Sequence, residues 1–253
     1  EAHMFKAKSL TGIMTKMHHC RYRFGLTGTL DGTQTHQLVL EGLFGAVEKV
    51  VTTKELIDKN TLADLKIKCI ILKHKNIREK MTYAEELEYI VTNEKRIDFV
   101  VNLLRHLNGN TLCLFQLVEK HGKILNDKMK GSENVYFVYG GIDTSEREEI
   151  RGLVEKHTKS TTIASYGTFS TGINIRNIHN IVLASPSKSK IRVLQSIGRG
   201  LRTSSNKDSV LVYDIADDIS YNERRNFTLN HFTERLAIYN EEQFDYDISK
   251  VKL

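Results

Sequence analysis

The feature that most constrains this chain is a series of short, almost unbroken apolar runs at Thr111–Phe115, Asn134–Val138, Thr161–Ser165, Asn180–Ala184 and Val210–Asp214, separated by segments of helical periodicity. A strand that is apolar at every position has to be covered on both faces, and strands joined by helices run parallel. The pattern therefore dictates an α/β fold: a mostly parallel sheet with helices on both faces. Helical patterns fall near Val118–Met129, Ser145–His157, Lys190–Ile197 and Arg224–Tyr239, with two more at Thr82–Val91 and Asn93–Leu107. In the last of these, Ile97, Val100, Val101 and Leu104 recur at the spacing of one helix face. The alternating β-branched run Leu65–Leu72 predicts a strand that opens this unit. Ahead of it, Lys8–His19 predicts a helix, Tyr22–Leu26 a strand ending in a Thr-Gly-Thr turn, and Thr53–Asp64 a short polar linker with one helical turn.

In open parallel sheets, ligands collect in the loops beyond the carboxyl ends of the strands. The most suggestive residues beyond such an end are Gln195-Ser196-Ile197-Gly198-Arg199-Gly200-Leu201-Arg202. Three-residue spacing brings Arg199 and Arg202 to one face of a helical turn, and the glycines permit close approach of backbone and ligand. A guanidinium pair of this kind suits a polyphosphate; the same residues also suit a solvated basic loop or helix end. Ser187-Lys188-Ser189-Lys190 is a further basic candidate for phosphate contact that reads better as a solvated loop, and Glu85, Glu86 and Glu88 lie on a helix already rich in charge and are assigned no function.

Taken in order, further segments sharpen the choice. The pattern Q-x-x-G-R-x-x-R at Gln195–Arg202 resembles motif VI of the superfamily-two helicases of DEAD/DEAH type. Glu1-Ala2-His3 is similar to the tail of a D-E-A-H box, and Arg23–Thr29, with Thr27-Gly28-Thr29, to motif III. Phe115-Gln116 resembles motif IV, Tyr139-Gly140-Gly141 with Ser145-Glu146-Arg147 the H-G-x-x-x-x-x-E-R segment, and Ser165–Ile175 motif V. The resemblance covers nearly the whole chain and is closest to the recombination helicases of phage. It implies a RecA-like domain at 57–253, preceded at 1–56 by the end of a first RecA-like domain and a linker. It also implies use of ATP and Mg2+, both held mainly by a first domain whose G-x-x-x-x-G-K-[ST] loop does not occur here, so this chain alone is expected to lack efficient ATP hydrolysis.

The same resemblance distributes the roles. Glu1 would orient the attacking water and His3 link the nucleotide site to motif III, where Thr27 and Thr29 would couple phosphate state to domain closure. Gln195, Arg199 and Arg202 would reach the γ-phosphate from the second domain. Gly172 and Asn174 would lie near the ribose; the family usually has an acidic residue where Asn174 stands. Gly140, Gly141, Arg147, Ser165, Thr168 and Ser170 would grip nucleic-acid phosphates. Tyr139 stands where the family often has histidine, and packing is an equal use for it. The implied partners are DNA, branched DNA above all, RNA–DNA hybrids and the N-terminal half of the same protein. The implied location is the cytoplasm, that of the host for a phage protein.

Composition agrees with a polyanionic partner without proving one: the 253 residues carry a net charge of +6 and a pI near 9.1. No apolar run approaches the length that spans a bilayer, and the start lacks a signal-peptide core. Cys20, Cys69 and Cys113 read as buried thiols of a reducing compartment, without disulfide or zinc spacing. A non-catalytic nucleic-acid or partner-binding module of RecA-like shape, and the motor subunit of a restriction or nuclease complex, are the rival readings. Paired arginines distinguish a motor from a mere binding module.

Overall fold

The computed structural model describes residues 2, 5, 7–28, 34–75, 77, 79–168, 175–187, 189–201, 207–222 and 224–253, with backbone alone for 34–36, 190–192 and 199. Two helices come first, α1 (Ala7–Lys16) and α2 (Gln34–Phe44). They share a small core of Leu10, Met14 and Leu40. A short helix, α3 (Thr53–Asp58), follows; the Thr52 hydroxyl caps it by accepting the Glu55 amide at 3.1 Å. Ile57 of α3 already belongs to the core of the main sheet.

That sheet is built from β1 (Asp64–Lys73), β2 (Asn110–Phe115), β3 (Val135–Val138), β4 (Ser160–Ser165), β5 (Asn180–Leu183), β6 (Ser209–Asp218) and β7 (Tyr246–Lys252). Its seven strands stand in the order β3-β4-β2-β5-β6-β1-β7, and every pairing is parallel. The covering helices are α4 (Tyr83–Thr92), α5 (Glu94–His106), α6 (Lys123–Lys128), α7 (Thr144–Lys156), α8 (Lys190–Gly200) and α9 (Phe227–Glu241). Every residue of β2, β4 and β5 is buried. Alternation sends Leu112 and Leu114 into one core layer, and Cys113 and Phe115 into the other. The expected α/β architecture with helices on both faces is therefore what forms.

Local chemistry sets the helix starts. Thr82 and Glu85 form a reciprocal capping box at α4, and the Asn93 side chain accepts the Arg96 amide to start α5 at once.

Four expectations need correction. Tyr22–Leu26 alternates like a strand but forms none: Tyr22, Phe24 and Leu26 stand 71%, 81% and 78% exposed, because no described strand lies beside them. The helix expected over Val118–Met129 is divided into a π-helical turn, Val118–Gly122, and α6. A side chain at Gly122 would put its Cβ 2.5 Å from the Phe115 ring, so glycine is what lets this turn lie against β2. The edge strand β7 was not foreseen. Finally, Cys20 is exposed; only Cys69 and Cys113 are buried, where burial pushes the Cys113 thiol up to about 12. No helix among the described residues is long and apolar enough to cross a membrane.

Candidate nucleotide and nucleic-acid edge

Because all strands run the same way, their carboxyl ends line one edge. Phe115 is paired with Ser165, and Val138 with Ala164, so the segments after β2, β3 and β4 emerge side by side. The chain leaves β5 through Ala184-Ser185-Pro186-Ser187 and enters α8 within a few residues.

Helix α8 packs through Val193, Ser196, Ile197 and Gly200, with Leu201 just beyond it, all buried. The half-buried Gln195 occupies the opposite side of its helical register, and Arg199 follows one turn later in the chain. The two glycines differ in use. A Cβ on Gly198 would meet nothing within 4 Å, which leaves room for a ligand. A Cβ on Gly200 would lie 2.5 Å from Ile181 Cδ1 and 3.3 Å from Val210 Cγ1, so the close approach made at Gly200 is to the sheet. The buried Lys207, its ammonium pushed down to about 8 by desolvation, closes the carboxyl end of the helix by donating to the Gly200 carbonyl, and it reaches the Arg176 carbonyl at 3.4 Å. Arg202, Gly172 and Asn174 lie outside the described residues.

The turn between β5 and α8 is held from several directions. Arg96 of α5 donates Nε to Asp217 Oδ1 at 2.8 Å and Nη2 to the Ala184 carbonyl at 2.7 Å. Arg235 of α9 makes a two-point pair with Asp214, both bonds 2.8 Å, and donates Nη1 to the Ser187 carbonyl at 2.8 Å. Tyr166 donates its hydroxyl to the Ser185 carbonyl at 3.1 Å, while Ser185 Oγ accepts the Gln116 amide at 3.0 Å and lies 2.9 Å from His121 Nδ1. Ser187 is only 6% exposed and Ser189 half-buried; Lys188 and the Lys190 side chain are not among the described residues.

Electrostatics follow from this burial. Burial works to raise the Asp217 carboxyl, but Arg96 and His74, at 2.9 Å, outweigh it and hold the group below the usual carboxylate range. Burial, helped by Arg96, pushes His121 down to about 3, so its imidazole is neutral at ordinary pH. Burial and Asp214 raise Tyr239 well above its ordinary value, keeping its hydroxyl a donor to Asp214 at 2.8 Å.

Gly140 and Gly141 follow β3, and Arg147 of α7 reaches back to donate Nη2 to the Gly140 carbonyl at 3.2 Å. A Cβ on Gly141 would lie 2.6 Å from the Tyr139 ring, whereas one on Gly140 meets nothing within 4 Å. Tyr139 continues an aromatic row with Phe115 and Phe137, centroids 5.6 and 5.3 Å apart, in keeping with packing. Ser165 and Thr168 are buried and bond to each other at 2.8 Å, and Ser165 Oγ also accepts the Thr168 amide, so these hydroxyls cap the turn after β4. Ser170 falls outside the described residues. Of the N-terminal set, Thr27 is half-buried, and Glu1, His3 and Thr29 lie outside the described residues. The Ala2 amide donates to the Leu26 carbonyl at 2.9 Å, which sets the segment resembling a D-E-A-H tail beside the one resembling motif III.

The seven-stranded parallel sheet has the RecA-like fold of the superfamily-two helicase C-terminal domains. Residues 95–204 match the helicase conserved C-terminal domain. Along its whole length the chain is similar to the ATP-dependent DNA helicase UvsW of Enterobacteria phage T4, being 34% identical over 272 aligned positions that cover 100% of this chain and 54% of the relative. The crystal structure of T4 UvsW matches with a TM-score of 0.65 and 34% identity, covering 100% of this chain and 53% of that one. The chain thus spans about half the length of these relatives. Two more distant structures share the fold alone. The ATP-dependent Type ISP restriction-modification enzyme LlaBIII bound to DNA has a TM-score of 0.59, 12% identity, and coverage of 92% and 18%. S. cerevisiae Dbp5 bound to RNA and ADP BeF3 has 0.55, 13%, and coverage of 96% and 55%.

Proposed function

We propose that this chain supplies the second motor domain, residues 57–253, and the end of the first, residues 1–56, of an ATP-dependent DNA helicase that unwinds or branch-migrates branched DNA and removes RNA hybridised to DNA during recombination and repair. The observation that carries the reading is the placement of Gln195 on the side of α8 away from its buried residues, one turn before Arg199 in the chain, with open space at Gly198. The similarity to UvsW along the whole chain supports the substrate class. The separate small core of α1 and α2 supports the domain division.

In this reading ATP and Mg2+ bind chiefly to the first domain and supply the phosphoryl group and its charge-neutralising cation. Glu1, His3, Thr27 and Thr29 stand on that side. Gln195, Arg199 and Arg202 approach the γ-phosphate when the two domains close, so hydrolysis reports closure. Gly172 and Asn174 face the ribose. Gly140, Gly141 and Arg147 grip phosphates of the track, because phosphates repeat whatever the base sequence. The buried state of Ser165 and Thr168 favours a role in shaping that surface. The protein works in the cytoplasm.

The test is Arg199→Ala in the full-length protein. ATP turnover should fall at least about a hundredfold, in line with the size of an arginine-finger effect, while DNA affinity is retained. Undiminished turnover would remove the motor assignment.

A further inference from the structure

We propose that Arg96 and Arg235 are paired positioning residues that set the place of α8 by clamping the turn from which it starts. The inference rests on the motor reading, because α8 is the helix that carries Gln195 and Arg199.

The geometry is bilateral. Asp214 and Asp217 are an odd number of residues apart on β6, so their side chains leave opposite faces of the sheet. Each meets an arginine from the helix layer on its own face, α9 for Asp214 and α5 for Asp217. Each arginine then spends a remaining N–H on the same four-residue turn, at Ala184 and at Ser187. Between them the Ser185 carbonyl is taken by Tyr166, and Pro186 fixes its own φ. The turn is thereby fixed from both faces and at its centre.

Stability alone is a poor reason for such an arrangement, because buried ion pairs are often no more stabilising than apolar residues of the same volume. What a guanidinium adds is direction: a planar fork with donors at fixed angles can hold a carboxylate along one edge and a carbonyl at another. A lysine ammonium, a point charge on a flexible stem, keeps the charge but cannot impose both directions. A plain connection between strand and helix needs no such fixing. A helix that must present phosphate-facing groups does, since misplacement by about 1 Å costs about a hundredfold in rate.

The experiment is steady-state, DNA-stimulated ATP hydrolysis by the full-length protein carrying Arg96→Lys or Arg235→Lys, each alone and combined with Arg199→Ala. The expected result is a kcat lowered about tenfold or more by the loss of orientation, with KM for ATP, DNA affinity and the thermal unfolding midpoint close to wild type. Because both act through α8, whose other phosphate-facing group is Gln195, the lysine changes should cost clearly less once Arg199 is gone. Should a lysine variant fail to fold, Tyr166→Phe, which loses only a hydroxyl, tests the same turn; its smaller kcat loss should likewise shrink in the Arg199→Ala background. An unchanged kcat in folded lysine variants, or losses that multiply with that of Arg199→Ala, would overturn the proposal and leave the motor reading standing. Undiminished turnover in Arg199→Ala alone would instead overturn the motor reading.

Discussion

Glu86 of α4 is the N-terminal cap of α9: its carboxylate accepts the Phe227 amide at 2.9 Å, the Thr228 amide and hydroxyl at 2.5 Å, and the Asn226 amide side chain at 2.8 Å. It is 1% exposed and lies at the positive end of a helix dipole, which suits a negative group. Glu86→Ala would leave these buried donors without their acceptor. The expected loss is about 2–4 kcal/mol, read from urea unfolding of this chain; a loss below about 0.5 kcal/mol, the range of ordinary surface changes, would contradict the capping role.

Acid should destabilise the fold in two stages. His121 has a folded value depressed to about 3, so between about 6.5, the ordinary histidine value, and that point the unfolded chain binds a proton that the folded chain refuses. Stability therefore falls with falling pH across this window, by up to about 1.4 kcal/mol per pH unit. Asp217, held below its ordinary range, contributes stability that is complete above about pH 4 and lost as pH drops through its folded value. His121→Asn should flatten the first stage and leave the second. An equally steep fall between pH 6.5 and 4 in that variant would show that the first stage belongs to other groups.

Gly198 and Gly200 should respond oppositely to alanine. At Gly198 the added methyl meets nothing within 4 Å, and the gain in helix propensity should stabilise the chain by about 0.5–1 kcal/mol. At Gly200 it meets Ile181 Cδ1 and Val210 Cγ1, both in the core, so overpacking of about 1–3 kcal/mol should outweigh that gain. Thermal unfolding of the two single variants decides the matter; stabilisation by both would refute the tight contact at Gly200.

The chain by itself should bind DNA weakly, with an affinity that falls as salt rises, because the contacts assigned to the edge are to phosphates. Fluorescence anisotropy with a labelled oligonucleotide across a salt series measures this. Binding that ignores salt, or its absence even at low salt, would argue against a phosphate-gripping edge.

How much of this was legible in the residues depended on whether a signal was apolar or charged. Strands β2 and β5 are buried at every position and announced themselves as nearly continuous apolar runs, whereas β4 is as fully buried with Ser or Thr at four of its six positions. β7 escaped notice because as an edge strand it exposes Asp247, Ser249 and Lys250, and so lacks such a run. The exposed alternation at Tyr22–Leu26 misled in the opposite direction: local pattern proposes a strand, but only a neighbouring strand makes one. Motif residues on α8 stand out by pattern, whereas Glu86, Arg96 and Arg235 belong to no motif and so carry no expectation of a buried role. A signal existed. Glu86 stands four residues before Ile90, Arg96 four before Val100, and Arg235 between Phe232 and Tyr239, each within the apolar stripe of its own helix. A charged residue in that register should have been suspected of a buried partner.

The strand order carries a consequence for biosynthesis. β1 is the first strand of the sheet to be made, yet its two neighbours, β6 and β7, are the last. A growing polypeptide must therefore keep the Leu65–Leu72 segment waiting, unpaired, until β6 has been made, and contacts of such long sequence separation are among the slowest kinds to form. Premature termination anywhere before β7 would strand β1 with an open edge, so this stretch is where chaperone capture of the nascent chain should concentrate.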